Sequence, residues 1–215
     1  MKICDNIEEN KKVILRGGPM KKMLIASHNA HKIREIRELF SHHKIQLISL
    51  RDLNEKDDVK EDGSSYFENA LKKAMYFAKK HNIPTLSDDS GLNVLALDLR
   101  PGIYSARYSG HGDHANNLKV LAEMKGVEDR RAYFISSIVI AYPNGDFKAY
   151  EGKFDGFIAQ EMKGDHGFGY DSIFYLPEYQ MTAAEIEPEL KNRISHRGMA
   201  MRKLMEDIDD ILNHE

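Results

Sequence analysis

The chain has 215 residues, 41% hydrophobic and 30% charged, with a formal net charge of -3. That length fits one domain with a sizeable core, and the balance excludes a disordered chain and a broadly basic nucleic-acid-binding surface. The single cysteine, Cys4, excludes intrachain disulfides, and with no long apolar run or signal-peptide core in view the expectation is a reducing, cytoplasmic setting without a membrane partner.

Residues 1–20 are polar and charged and end in Arg16-Gly17-Gly18-Pro19 before Met20 and Met23. They read as a non-native or disordered N-terminal extension, with residues 21–215 as a single domain. Lys22 to Ser27 reads as a buried strand, followed from Asn29 by a helix with Ile33, Ile36, Leu39 and Phe40 on one face. Ile45 to Ser49 is a second strand, Asn54 to Ser65 an acidic loop, and Tyr66 to Lys80 a helix with its stripe at Phe67, Ala70, Leu71, Ala74, Phe77 and Ala78. Pro84 to Ser87 reads as a short strand, with Asn93 to Leu97 continuing the sheet after a turn. Asp113 is expected to cap a helix reaching about Lys125, with Leu118, Leu121 and Ala122 inward. Arg131 to Tyr142 is a long strand returning through the Pro143-Asn144-Gly145-Asp146 turn into Phe147 to Lys153. A loop over Lys163 to Asp171 precedes a strand at Ser172 to Tyr175, and a last helix spans about Ser195 to Leu212. Parallel strand-helix units followed by a hairpin predict an α/β fold with a mixed sheet and flanking helices.

Polar residues gather at the ends of these elements, where open α/β sheets bind ligands. In IASHNAHK, Ile25 to Lys32, a helix start leaves free N–H groups and a partial positive charge. Ser27, Asn29 and the first helical amides can hold a phosphate under Lys32, or Asn29 can simply cap the helix. In SDDSGL, Ser87 to Leu92, Asp88 and Asp89 stand at a strand end with Ser90-Gly91 making the turn. A pair of repelling carboxylates suits Mg²⁺, although Asp and Ser also favour plain turns.

Upstream, Glu61 lies in the acidic loop, and Glu68 is not at salt-bridge spacing from Lys73 on the next helix. The GFGYD loop, Gly167 to Asp171, offers Phe168 as a stacking surface for a base, or as a packed aromatic turn. KNRISHR sets Lys191, His196 and Arg197 at the start of the last helix, where the macrodipole disfavours cations. Lys191 suits a phosphate there, while His196 and Arg197 can donate to carbonyl-type acceptors. His42-His43 and His111 with His114 lack the context of a transition-metal site.

Taken in order and spacing, IASHNAHKIREI, YFENALKKA, SDDSGLNVLALDLRPGIYSARYSG and the stretch from GFGYD to SHRGMAM resemble the inosine triphosphate pyrophosphatase family, also called the Ham1 family, from residue 23 to about 205. The resemblance implies an elongated, two-lobed α/β protein around a central cleft, a homodimer, and Mg²⁺-dependent hydrolysis of the non-standard purine nucleotides ITP, dITP and XTP to monophosphate and pyrophosphate. It implies a triphosphate-binding turn at Ser27, His28, Asn29, Ala30, His31 and Lys32, joined by Lys73. It also implies metal ligands at Glu61 and Asp89, Asp89 as general base, and Ser90 as a substrate contact. Phe168, Gly169, Tyr170, Asp171, Lys191, His196 and Arg197 would form the base-binding end.

Two departures stand out. Ser27-His28-Asn29 replaces the usual Thr-Gly-Asn, and Ser172 follows Tyr170-Asp171 in place of proline. Spacing alone does not separate Asp88 from Asp89 as the base. Two rival readings are a same-fold Maf-like pyrophosphatase for other modified nucleotides and a non-catalytic nucleotide-binding protein.

Overall fold

The computed structural model describes residues 21–214, and the extension expected over residues 1–20 lies outside the described residues. Seven strands, β1 (Lys21–Ile25), β2 (Ile45–Ser49), β3 (Thr85–Val94), β4 (Arg131–Ala141), β5 (Phe147–Ile158), β6 (Phe174–Leu176) and β7 (Met181–Thr182), form one sheet in the order β2-β1-β3-β4-β5-β6-β7. β1 is parallel to β2 and β3, and the other pairs are antiparallel. The helices are α1 (Ala30–Leu39), α2 (Tyr66–His81), α3 (Asp113–Glu123), α4 (Pro188–Ile194), α5 (His196–Glu206) and α6 (Ile208–Asn213).

Local chemistry explains where the two front helices begin. Asn29 Oδ1 accepts from the N–H groups of His31 and Lys32 at 2.9 and 3.2 Å, capping α1. Ser65 Oγ accepts from Glu68 N at 3.1 Å to cap α2, while Glu68 reaches back to Ser64 N at 2.7 Å. The small residues Ala70, Ala74 and Ala78 let α2 lie close on Val139 and Ala141 of β4. On the opposite face, Ile33 and Ile36 of α1 join Leu86, Ile138, Met201 and Leu204 in a second cluster.

SDDSGL corrects the expectation of a strand end and turn: it lies inside β3, which pairs with β4 without a break from Thr85–Ala141 to Val94–Ala132. Side chains alternate along a strand, so Leu86, Asp88, Ser90, Leu92 and Val94 share one face and Asp89 points to the other. Leu86 belongs to the cluster under α1 and α5, whereas Leu92 and Val94 belong to another with Phe134, Phe154 and Phe174. Asp88 and Ser90 occupy the polar gap between the two cores.

β1 pairs with β3 only through Leu24–Thr85 and Ile25–Leu86. Beyond Leu86, among the described residues, no strand pairs with the β1-side edge of β3 apart from the isolated Asn93–Pro101 bridge near its end, and a notch opens there. Gly91 is required at this point because the 3₁₀ segment Gly102–Arg107 crosses it: a Cβ would lie 2.5 Å from Ser105 Oγ and 2.6 Å from Gly102 O.

Two further expectations are corrected. In α3 the buried residues are Asn116, Asn117 and Val120, while Leu118 is exposed, and Gly112 rather than Asp113 occupies the capping position. The helix expected over about Ser195 to Leu212 does begin at Ser195, which caps α5 by accepting from Gly198 N, but it breaks at Asp207 into α5 and α6, and the separate α4 precedes it. Lys191 therefore sits on α4, and His196 and Arg197 open α5.

Candidate active site

One cleft of about 620 Å³ collects every residue expected at the site except Ala30, from segments separated by most of the chain. The notch beyond Ile25 supplies its floor. Lys32 Nζ donates to the free Asp88 carbonyl at 3.1 Å and pairs with the Asp88 carboxylate at 3.0 Å, so α1 is pinned to the edge of β3. Ser27 Oγ accepts from Asn29 N at 3.1 Å, holding the turn, and His28 faces the carbonyl of Asp57 at 3.3 Å.

The two aspartates live in different surroundings. Asp88 Oδ2 accepts from Arg197 Nε and Nη2 at 3.1 and 2.9 Å, and Oδ1 accepts from Ser136 Oγ at 2.5 Å. Burial opposes its ionisation, yet Arg197 and Lys32 prevail and hold it well below the usual carboxylate range. Among the described residues Asp89 accepts only from Asn69 Nδ2 and Ser90 N, each at 3.0 Å. Burial first, then the fields of Glu61 and Asp88, push it up to about 6 against the pull of Lys32 and Asn69. Glu61 is held down, despite burial, by Lys73, Lys32 and Arg107, with Lys73 in direct contact.

One wall of the cleft is aromatic. Phe168 stacks on His31 with ring centres 5.2 Å apart and planes 19° apart, and Lys191 and Arg197 approach its ring at 5.1 and 5.7 Å. Lys191 is buried and paired with Asp171 Oδ2 at 2.6 Å and Glu35 Oε1 at 3.5 Å, so its charge is largely offset by the protein. All three guanidinium nitrogens of Arg197 are engaged, with Asp88, Glu35 and Ser90, leaving one of its five N–H groups uncommitted among the described residues. His196 stacks on Phe134 at 4.8 Å, and burial, reinforced by Arg197, keeps it neutral. Tyr170 is buried, with its hydroxyl donating to Ser105 O at 2.7 Å.

Four contributors escaped the sequence reading: Glu35, which bridges Lys191 and Arg197, Asn69, which supports Asp89, Ser136, which supports Asp88, and Arg107, which approaches Glu61 at 3.5 Å. Asn69 follows Glu68 in the YFENALKKA stretch, which was the available signal. Glu35 carried none, because on a helix surface it looks like any solvated charge.

Among the described residues no group of three or more His, Cys, Asp or Glu side chains converges as a metal cage. Mg²⁺ needs less, since it is usually held by one or two carboxylates with water and phosphate oxygens completing its shell. Glu61 and Asp89 fit that donor set: both line the cleft, and Glu61 is close enough to raise the pKa of Asp89. Among the described residues no helix is long and apolar enough to cross a membrane.

Fold and site define a class: a mixed α/β protein with a central sheet, flanking helices and a cleft that combines a capped helix start, lysines, paired carboxylates and an aromatic wall. The chain belongs to the Ham1 family, whose model matches residues 23–207. A relative from Desulfotalea psychrophila named dITP/XTP pyrophosphatase is 44% identical over 192 residues, covering 88% of this chain and 86% of its own. The solved Ham1 protein of Staphylococcus aureus matches with a TM-score of 0.81 at 40% identity, covering 88% of this chain and 99% of its own. A HAM1 protein from Coxiella burnetii gives 0.82 at 38%, covering 89% and 100%. The mixed α/β architecture expected from the sequence is therefore that of the family.

Proposed function

We infer that this protein hydrolyses the non-standard purine nucleoside triphosphates ITP, dITP and XTP to the monophosphate and pyrophosphate, removing them from the nucleotide pool. The observation that carries the reading is the contrast within β3, where Asp88 is locked in ion pairs while Asp89 is pushed up to about 6 beside Glu61. A carboxylate of that kind is ionised at neutral pH yet basic enough to take a proton from water. The name dITP/XTP pyrophosphatase carried by the Desulfotalea psychrophila relative supports the same substrate class here.

In this mechanism the amides of the first turn of α1 orient the terminal phosphates, and Lys32 and Lys73 offset the charge that gathers on the departing pyrophosphate. Asp89 accepts the proton of a water attacking the α-phosphorus in line with the leaving group. Mg²⁺ held by Glu61 and Asp89 supplies further charge neutralisation and polarisation of the phosphoryl oxygens when bound. On the aromatic wall Phe168 stacks the base, and the neutral His196 ring with the remaining Arg197 N–H donates to its 6-oxo edge. The amino group of adenine would leave such donors unpaired, which discriminates strongly in a buried site. The homodimer and cytoplasmic setting implied by the resemblance belong to the same reading, and sedimentation equilibrium reads the first.

Pyrophosphate release across ITP, dITP, XTP, ATP and GTP, with and without Mg²⁺, tests the proposal. Fast release confined to the first three with the metal is expected. Equal rates on ATP and GTP would refute it.

A further inference from the structure

The loop that carries Phe168 has no regular structure of its own before Asp171, and its flanking glycines Gly167 and Gly169 both take positive φ, +80° and +63°. Phe168 N donates to Asp171 Oδ2 at 2.9 Å within the loop, and two further holds come from α3. Asp113 Oδ2 accepts from Gly169 N at 2.7 Å. One helical turn later, Asn117 Nδ2 donates to Gly169 O at 2.9 Å and to Ser172 Oγ at 3.2 Å. Residues four apart lie on one face of a helix, so an acceptor and a donor grip the two ends of a single residue. The serine that stands where the resemblance leads one to expect proline gives Asn117 its second acceptor. Asn117 is buried, and among the described residues its own Oδ1 has no partner. A buried acceptor left unmet is costly, so an apolar residue would serve packing better at this position.

We propose that Asp113 and Asn117 are positioning residues of the cleft: they hold Phe168 at the height where it stacks a nucleobase, and so set affinity for the base without touching the phosphates. The proposal rests on the reading of Phe168 as the base platform, and the two can fail separately. The chain contains no tryptophan, so Phe168→Trp provides a single fluorescent reporter of the loop. In that background Asp113→Ala and Asn117→Ala are expected to red-shift the emission and increase its quenching by acrylamide with no nucleotide present. In the parent protein the same changes are expected to raise KM for dITP about tenfold with kcat within about twofold, the pattern of lost uniform binding through weakened stacking. Inhibition by tripolyphosphate, which has no base, should be unchanged. Asp113→Asn, which keeps an acceptor oxygen for Gly169 N–H, should return KM close to the parent value. Asp113 is on the surface, so its variants give the answer even if Asn117→Ala fails to fold. If Phe168→Ala leaves KM for dITP unchanged, the platform reading fails. If Phe168→Ala raises KM while Asp113→Ala moves neither KM nor the emission, the clamp is overturned, as it is by equal losses for dITP and tripolyphosphate.

Discussion

Alternation along β3 sends the Asp88 side chain to Arg197 on α5 and the Asp89 side chain to Asn69 on α2, so two adjacent carboxylates acquire opposite roles. Asp88 is the counter-charge of Arg197 and Lys32. Asp88→Asn should destabilise the protein by about 3–5 kcal/mol, because removing one partner strands a buried charge; a melt matching the parent would remove that role. Asp89 behaves the other way. Its folded pKa of about 6 lies above its ordinary 3.8, so the buried carboxylate costs nothing below about pH 4 and its full penalty above about pH 6. Asp89→Asn should therefore melt higher than the parent at pH 7.5, by at most about 3 kcal/mol, with the gain vanishing below pH 4. The same substitution should lower turnover about 10²–10⁴-fold, as expected for loss of a general base. In the parent, kcat/KM should rise with pH as Asp89 ionises, with a midpoint that bound Mg²⁺ draws below the metal-free value of about 6, which pH–rate profiles at low and high Mg²⁺ read.

At the scale of elements, β3 and the 3₁₀ segment Gly102–Arg107 meet at a point where no side chain fits. Gly91→Ala should cost about 1–3 kcal/mol and displace that segment, measurable as a shifted denaturation midpoint with an unchanged slope. The front strand-helix units and the β4–β5 hairpin were legible because apolar periodicity and turn residues agree there. SDDSGL was not, since Asp, Ser and Gly favour turns locally, and only pairing along the whole length of β3 with β4 overrides that preference. The buried face of α3 also escaped a hydrophobic pattern, because Asn116 and Asn117 are buried through hydrogen bonds to Ser109, Gly169 and Ser172 rather than by apolarity. Glu35 was invisible for a different reason: its partners Lys191 and Arg197 lie 156 and 162 residues away in sequence.

Over the whole molecule, a chain of net charge -3 concentrates Lys32, Lys73 and Arg107 around one cleft, so attraction of a polyanion is local. Binding of inorganic tripolyphosphate should weaken as salt is raised from about 0.05 to 0.5 M, because partly exposed charges are screened over that range; salt-independent binding would argue against these groups as its receptors. The α1 helix start, Lys32 and Lys73, the carboxylates, Phe168 and His196 all line this one cleft, the set of groups that the proposed binding of a nucleoside triphosphate requires. The most direct test is hydrolysis of dITP in ¹⁸O-labelled water with Mg²⁺, followed by mass spectrometry of both products. Attack at the α-phosphorus predicts the label in the nucleoside monophosphate and none in pyrophosphate, with product formation nearly abolished in Asp89→Asn. Label in pyrophosphate, or release of orthophosphate, would contradict it.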